Sequence, residues 1–317
     1  METLFHLFGA PVTAYGAGMA LALLATLILC GAYLRLRGDK AQRALYLAVA
    51  GIPLSWLMSR IVFVVANITY YTVTLSNPSL ALRFWDGGYS LTGAVMGLLL
   101  AAAVLTRVMK LPRGLFADAV GFAAPVGVII ARLFEPGTGM GLGRPISYDW
   151  LLFLGVDDGM GDVVYPIFYI EAAVAAMIFL VLVAWTLRKR GAIRSGDTAL
   201  VSMTLLGACQ IVLESMRNDG HMVVHFIRIQ MVLSLVALLV GLIVFSRRLY
   251  KRGGMKKSQQ LVLWLVTIAC IGLAVFMEFR VDRGSNKLLY YAVMAACVAV
   301  ITTMALKCRS KAESLAK

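Results

Sequence analysis

The chain has 317 residues, of which 61% are hydrophobic, and its mean hydropathy is +0.84. This composition excludes an ordinary soluble globular protein and is typical of a chain that crosses a membrane several times. The formal net charge is +14, which in a soluble chain would suggest nucleic acid, but in a membrane protein the position of the basic residues decides its meaning.

Apolar segments follow one another along the whole chain, and each is about 20 residues long, enough to cross the hydrocarbon core of a bilayer. They lie at 12–34, 44–66, 91–109, 115–134, 166–187, 198–216, 226–246, 261–279 and 288–306. The pattern predicts an all-α polytopic membrane protein. We expect a seven-span body over 1–246, a basic cytoplasmic loop at 247–260, and two extra C-terminal spans with a short basic tail over 261–317.

Most of the 30 basic residues lie in alternate connections, at 35–43, 107–114, 188–197 and 247–260, and in the C-terminal tail. By the positive-inside rule these connections are cytoplasmic, which places the N-terminus outside and the C-terminus inside. The charge therefore reports topology, and we expect no nucleic-acid partner. Because the first apolar run is long and no basic segment precedes it, we interpret it as a span and not as a cleaved signal peptide.

Neither the cysteines nor the acidic loop residues indicate a disulfide or metal framework. All five cysteines fall within spans or on the predicted inner side, so no disulfide is expected. The long outer connection before span 5 is acidic but lacks the spacing of a calcium loop, which favours an ordinary solvated loop. We expect neither a metal nor an organic cofactor. The acids in question are Asp149, Asp157, Asp158 and Asp162.

An unusual stretch, LRFWDGGYSLTGAVMG, occupies residues 82–97 at the predicted outer side. Trp and Tyr prefer the membrane–water boundary, and a glycine pair allows a sharp turn or a close approach to a ligand. Small residues four positions apart allow tight contact between membrane helices. The stretch is either a polar site where the chain re-enters the bilayer or an ordinary interfacial turn. Its key residues are Asp86, Gly87, Gly88, Gly93 and Gly97.

Three arginines lie in the outer parts of spans 2, 4 and 6, at similar predicted depths: Arg60, Arg132 and Arg217. Ionisable groups within spans face the protein interior and are candidates for function. Guanidinium groups match phosphate oxygens, so a phospholipid headgroup site is one interpretation. A buried ion-pair network that holds the helices together is the other. The carboxylates at the same level are Asp86, Glu135, Glu171 and Glu214.

The segment RFWDGGYS, followed by a span rich in small residues, resembles the WDGG-containing stretch of prolipoprotein diacylglyceryl transferases. Further similar pieces follow in the family's order, and together they cover about residues 12–246. They are Tyr15-Gly16, Arg60, Asp118 with Ala124-Pro125, Arg132 with Gly143-Arg144, Tyr165-Pro166 with Glu171, and Glu214 with Arg217.

The chain departs from the family pattern at several polar positions. Thr92 stands where the family usually has His, and Glu135 stands where its signature segment has Asn. Phe168 and Ile170 replace the Gln and Tyr that usually precede the glutamate. The arginines that would face phosphate are thus kept, while the usual proton acceptor is not.

The resemblance implies transfer of the diacylglyceryl group of phosphatidylglycerol to a lipobox cysteine of prolipoproteins, with release of glycerol phosphate. Arg132 and Arg217 would stabilise the leaving phosphate. Thr92 is a poor base, so Glu135 is our candidate for the proton acceptor, while His221 and His225 are weaker candidates. Residues expected to bind substrate are Tyr15, Arg60, Asp86, Gly87, Gly88, Gly143, Glu171 and Glu214.

The expected location is the bacterial plasma membrane, with the site at the outer leaflet. One alternative is a relative that transfers another phospholipid group or uses another acceptor. A second is a non-catalytic lipid-binding protein or scaffold that kept the phosphate pocket. A transporter is disfavoured, because the charges cluster near one face and not around a midplane cavity.

Overall fold

The computed structural model describes residues 3–7, 10–84, 88–189, 192–218, 223–224, 227–284 and 286–315. Over these residues each predicted apolar segment corresponds to one α-helix. The helices are α1 (Ala14–Leu36), α2 (Arg43–Ala66), α3 (Leu91–Val108), α4 (Leu115–Leu133), α5 (Ile167–Lys189), α6 (Asp197–Met216), α7 (Ile229–Lys251), α8 (Lys257–Arg283) and α9 (Lys287–Ser314).

Eight of these helices are long and apolar enough to cross a membrane, and α3 is a shorter apolar helix. The prediction of an all-α polytopic membrane protein is therefore confirmed. The last three helices extend beyond their predicted ends into basic sequence. Lys and Arg have good helix propensity, and their long side chains reach from a helix end toward the membrane surface, so the helix continues past the apolar segment.

Short strands occur in the connections, and the sequence analysis did not predict them. A hairpin of β1 (Thr3–Leu7) and β2 (Ala10–Thr13) precedes α1. Between α4 and α5 lie three short strands, β3 (Leu142–Pro145), β4 (Val156–Asp157) and β5 (Val163–Pro166), which form an antiparallel sheet in the order β3-β5-β4. After α6, β6 (Val223–Val224) pairs with β7 (Ile227–Arg228).

The chain forms two compact units. The first comprises Met1–Ser202 and Met216–Gln230, and the second comprises Met203–Ser215 and Met231–Lys317. The first unit contains α1 to α5, the short strands, the start of α6, and the described residues of 216–230 after it. The division of the chain at 246 and 260 stays a prediction.

Helices α2 and α3 of the first unit pack closely through glycines. A Cβ atom at Gly97 would lie 2.3 Å from the carbonyl oxygen of Leu54, and one at Gly93 would lie 2.6 Å from that of Met58. No side chain fits in that space, so the predicted role of this glycine pair in tight helix contact is confirmed. The contact continues at the start of α3, where the Ser59 hydroxyl donates to the Ser90 carbonyl at 2.7 Å.

The N-terminus of α6 is held by a carboxylate of another helix. Asp118 in the first turn of α4 is fully buried and accepts hydrogen bonds from the backbone amides of Gly196 at 2.6 Å and Ala199 at 2.9 Å. The first amides of a helix lack partners within the helix, so a buried acceptor there stabilises both its end and its position. Asp118 thus fixes the start of the helix that leads to Arg217.

The second unit is formed mainly by α7, α8 and α9 with the last part of α6. Gly207 of α6 lies against the backbone of Ser234 in α7, where an added Cβ would come within 2.7 Å of its carbonyl oxygen. The Ser215 hydroxyl of α6 donates to the Glu278 carboxylate of α8. Helix α8 therefore has a polar contact with α6 in addition to its packing against α9.

Candidate functional site

Four charged side chains of the first unit meet at the ends of three helices. Arg132 lies in the last turn of α4, and Glu135 lies two residues beyond the end of that helix. Glu171 lies near the start of α5, and Arg217 directly follows α6. We call this group the Arg–Glu cluster.

Both arginines of the cluster contact both carboxylates. Nη1 of Arg132 lies 2.7 Å from Glu135 Oε2, and its Nε forms an ion pair with Glu171. Nη2 of Arg217 lies 3.0 Å from Glu135 Oε1, and its Nη1 lies 3.3 Å from Glu171 Oε1. Arg132 and Arg217 therefore reach one place from different helices, as the sequence led us to expect.

The cluster is almost completely removed from solvent. The side chains are 12% exposed at Arg132, 6% at Glu135, 5% at Arg217 and 1% at Glu171. Charges at this depth are tolerated only when they are paired, and loss of one partner leaves an uncompensated buried charge. The interpretation as an ion-pair network thus describes the observed geometry. Guanidinium forks bind carboxylate and phosphate with the same geometry, so the role of Arg132 and Arg217 as a phosphate site stays a prediction beside it.

A glycine-rich segment lies directly on the cluster. Gly141 has φ of +76°, and a Cβ there would lie 3.0 Å from Cδ of Glu135. Gly143 in β3 forms a backbone bridge with Arg217, and the Asn218 amide donates to the Leu142 carbonyl at 2.9 Å. Glycine allows this backbone to approach the ionic groups, and the bridges fix the chain at Arg217.

Tyr15, in the first turn of α1, also belongs to this neighbourhood. Its phenol interacts electrostatically with Glu135, Arg132 and Arg217. A Cβ at Gly18, one turn further along α1, would collide with the ring of Phe134. The start of α1 therefore lies against the end of α4, which brings the Tyr15 hydroxyl close to the cluster, and its role in substrate binding stays a prediction.

Arg60 has a different environment from the other two arginines. Its guanidinium group donates to the backbone carbonyls of Ala81 at 3.2 Å, Arg83 at 2.9 Å and Gly88 at 3.1 Å. It also lies over the ring of Tyr71, 5.9 Å from its centroid. A buried guanidinium that binds three carbonyls fixes the course of the loop that crosses it. The observed contacts of Arg60 therefore hold the described backbone on both sides of residues 85–87.

That outer segment is described only in part. Asp86 and Gly87 lie outside the described residues, and their predicted role in substrate binding stays a prediction. Gly88 has φ of +77°, and a Cβ there would lie 2.4 Å from the ring of Phe63, so a larger residue does not fit. His221 and His225 also lie outside the described residues.

Thr92, which stands where the family usually has His, lies in the first turn of α3. Its hydroxyl donates to Oε1 of Gln230 at 2.6 Å. Gln230 was not predicted as a site residue, although an amide in the first turn of an otherwise apolar helix is a visible signal in the sequence. A second overlooked residue is Arg228, whose Nη2 donates to the carbonyl of Arg217 at 2.7 Å.

Tyr165 and Glu214 complete the set of residues from the resemblance. The pKa of the Tyr165 phenol is raised above its ordinary value of 10.0, because burial disfavours the charged form and Tyr148 lies nearby. Glu214 belongs to the second compact unit, where it is buried and accepts a hydrogen bond from Gln210 at 3.4 Å.

The part of the chain that the structure describes contains no group of three or more His, Cys, Asp or Glu side chains arranged to hold a metal ion. The five cysteines are free thiols. Within the Arg–Glu cluster, guanidinium groups of this kind can bind an anion and carboxylates can accept a proton.

Comparison with known proteins gives a consistent result. The family model described as "Prolipoprotein diacylglyceryl transferase" matches residues 2–247. A phosphatidylglycerol–prolipoprotein diacylglyceryl transferase of Clostridioides difficile is 27% identical over 239 residues, which cover 75% of this chain and 92% of the relative. The enzyme of the same name from Symbiobacterium thermophilum is 27% identical over 239 residues, covering 73% and 87%. That from Lysinibacillus sphaericus is 24% identical over 265 residues, covering 80% and 94%.

Proposed function

The chain belongs to the prolipoprotein diacylglyceryl transferase family, and on this premise we propose that it transfers the diacylglyceryl group of phosphatidylglycerol to a cysteine thiol of prolipoproteins. The acceptor is the cysteine of the lipobox in the signal peptide. The reaction takes place at the outer leaflet of the bacterial plasma membrane, with the N-terminus outside and the C-terminus in the cytoplasm. Relatives of this name come from several bacteria.

The observation that carries this proposal is the convergence of Arg132 and Arg217 on one buried site. In the transfer, the thiol sulfur attacks the glycerol carbon that bears the phosphate oxygen. The bond between that carbon and oxygen breaks, and glycerol phosphate leaves. Two guanidinium groups in a site of low dielectric stabilise the charge that develops on the departing phosphate. We therefore assign these arginines to the leaving group.

The remaining predicted residues surround the cluster, where they bind the donor lipid or hold the arginines in position. We propose that Tyr15 and Gly143 line the headgroup site beside the arginines, while Glu171 holds the arginines in place. Arg60 acts through the outer segment that it orders, which contains Asp86, Gly87 and Gly88, and is a positioning residue in this proposal. Glu214 is assigned to substrate binding by the resemblance alone.

The decisive experiment is complementation of a bacterial strain depleted of its own diacylglyceryl transferase. We expect the wild-type chain to restore growth and lipoprotein modification, and R217Q to fail. R309Q is the matched control, because it breaks another Arg–Glu pair, that of Arg309 with Glu313, outside the cluster.

A wild-type chain that reaches the membrane in folded form and does not restore lipoprotein modification would contradict the proposed activity. In that case, binding of phosphatidylglycerol by the purified protein would favour the non-catalytic lipid-binding alternative. Modification with a different lipid group, detected by mass spectrometry of the lipoprotein, would favour another donor.

A further inference from the structure

The carboxylates of Glu135 and Glu171 occupy the faces of Arg132 and Arg217 that a phosphate would need. Each arginine contacts both carboxylates. The Glu135 carboxylate lies 2.7 Å from Arg132 and 3.0 Å from Arg217, and the Glu171 carboxylate lies 3.3 Å from Arg217. A donor phosphate that binds both guanidinium groups in the same bidentate manner must therefore replace some of these bonds. Either Glu135 or Glu171 must then move away from the arginines.

Glu171 is the fixed partner. It lies within the regular helix α5 and its side chain is 1% exposed. Moving it away from the arginines would require either a change in α5 or an unpaired carboxylate in a dry interior, and both are costly. Glu171 is therefore suited to hold the two arginines in position whether or not phosphate is bound.

Glu135 is the partner with room to move. It lies beyond the end of α4 and is followed by Gly137 and Gly139, which have φ of +84° and +75°. A Cβ atom at either glycine would meet no other group within 4 Å, so the backbone at these two positions faces open space. Glu135 is itself buried beneath Gly141, so a turn of its carboxylate away from the arginines requires movement of this loop, but not of a helix.

We propose that the donor phosphate displaces the Glu135 carboxylate from Arg132 and Arg217, and that the released carboxylate accepts the proton of the acceptor thiol. This inference rests on the proposed transfer reaction. In the lipid-free protein, Glu135 is an internal anion that neutralises the phosphate site. Binding of the donor exchanges one anion for another and so frees the base only when the donor is present.

The step balances without any further reactant. The thiol proton passes to Glu135, the sulfur forms a bond with the glycerol carbon, and the electron pair of the broken carbon–oxygen bond stays on the phosphate oxygen. Glycerol phosphate leaves with that extra negative charge, still paired with the arginines. Protonated Glu135 then gives its proton to the departing phosphate or to water, and the carboxylate returns to the arginines.

Thr92 makes such a base necessary in this chain. A hydroxyl is a poor proton acceptor at neutral pH, and that of Thr92 donates to Gln230. Glu135 replaces the usual Asn directly beside the phosphate site. The two departures from the family pattern therefore have a common explanation, in which the proton acceptor has moved from α3 to the end of α4.

The variant E135Q separates the two halves of this inference. Glutamine keeps the size of the side chain but carries no charge, so it neither competes with phosphate nor accepts the thiol proton. We expect kcat for transfer to fall about 100-fold or more, the usual contribution of a general base. The KM for phosphatidylglycerol should stay the same or fall. E313Q, which breaks an ion pair of α9, should change neither constant.

A second variant excludes a merely structural loss of activity. The double variant E135Q/T92H supplies the family's usual histidine as the base. We expect its kcat to be at least ten times that of E135Q. Failure to recover activity in a folded protein would contradict the assignment of the proton acceptor. Normal turnover of E135Q alone would contradict it as well.

Binding by native mass spectrometry, with short-chain phosphatidylglycerol as the probe, tests displacement independently of turnover. Tighter or equal binding by E135Q supports displacement, whereas clearly weaker binding would mean that Glu135 is a fixed part of the donor site and would overturn the inference. If the wild-type chain transfers nothing, the proposed function fails, and the binding measurement still decides whether Glu135 competes with phosphate.

Discussion

Arg217 shows how much depends on the shape of one side chain. Different nitrogens of its guanidinium group bind Glu135 and Glu171, at 3.0 and 3.3 Å, while its backbone bridges Gly143. A lysine carries the same charge, but its single ammonium group cannot bind two carboxylates through separate nitrogens. The contacts observed at this position therefore need the guanidinium shape as well as a positive charge.

We predict that R217K and R132K each lower kcat/KM for transfer by about tenfold or more, which corresponds to about 1.4 kcal/mol at the transition state. Loss of bidentate contact with the leaving phosphate is the physical reason. Steady-state kinetics with phosphatidylglycerol and a lipobox peptide measure the effect. R309K is the control, and kinetics of R217K equal to those of the wild type would contradict the assignment.

The element on which the outer segment depends is the helix pair α2–α3. Arg60 of α2 binds the backbone of this segment, Ser59 binds Ser90, and two glycines bring α3 against the backbone of α2. Any increase in the distance between the helices would move all of these contacts together. The pair is therefore both a packing unit and the support of the outer loop.

G97A should lower the free energy of unfolding by about 1–3 kcal/mol, because the added methyl group has no space against the carbonyl of Leu54. G272A is the matched control, since the same change in α8 meets nothing within 4 Å. Thermal unfolding in detergent compares the two variants. Equal melting temperatures would show that α2 and α3 do not pack as closely as described.

At the scale of the whole molecule, the distribution of basic residues predicts the orientation in the membrane. In a background without the native cysteines, a cysteine introduced at Lys40, Lys110 or Lys256 should escape a membrane-impermeant maleimide added from outside. One at Met160, which is 94% exposed, should be labelled. Labelling of two or more of the three basic positions from outside would reverse the topology and move the proposed site to the inner leaflet.

The sequence by itself determined the fold class and the course of the spans. Transfer of an apolar side chain into lipid is favourable at each position independently, so a run of about 20 such residues identifies a helix without knowledge of its neighbours. Local spacing also sufficed for the contact of α3 through Gly93 and Gly97, four residues apart on the chain.

Only the tertiary structure decided the partners of the polar groups. Glu171 reaches Arg217, Thr92 binds Gln230, and Asp118 holds the start of α6, although the chain separates these pairs by 46, 138 and about 80 residues. A buried charge must be paired, which the sequence reveals, but its partner depends on which helix ends meet. For the same reason the sequence grouped Arg60 with Arg132 and Arg217 by depth alone, and only the structure showed that Arg60 donates hydrogen bonds to the backbone of Ala81, Arg83 and Gly88.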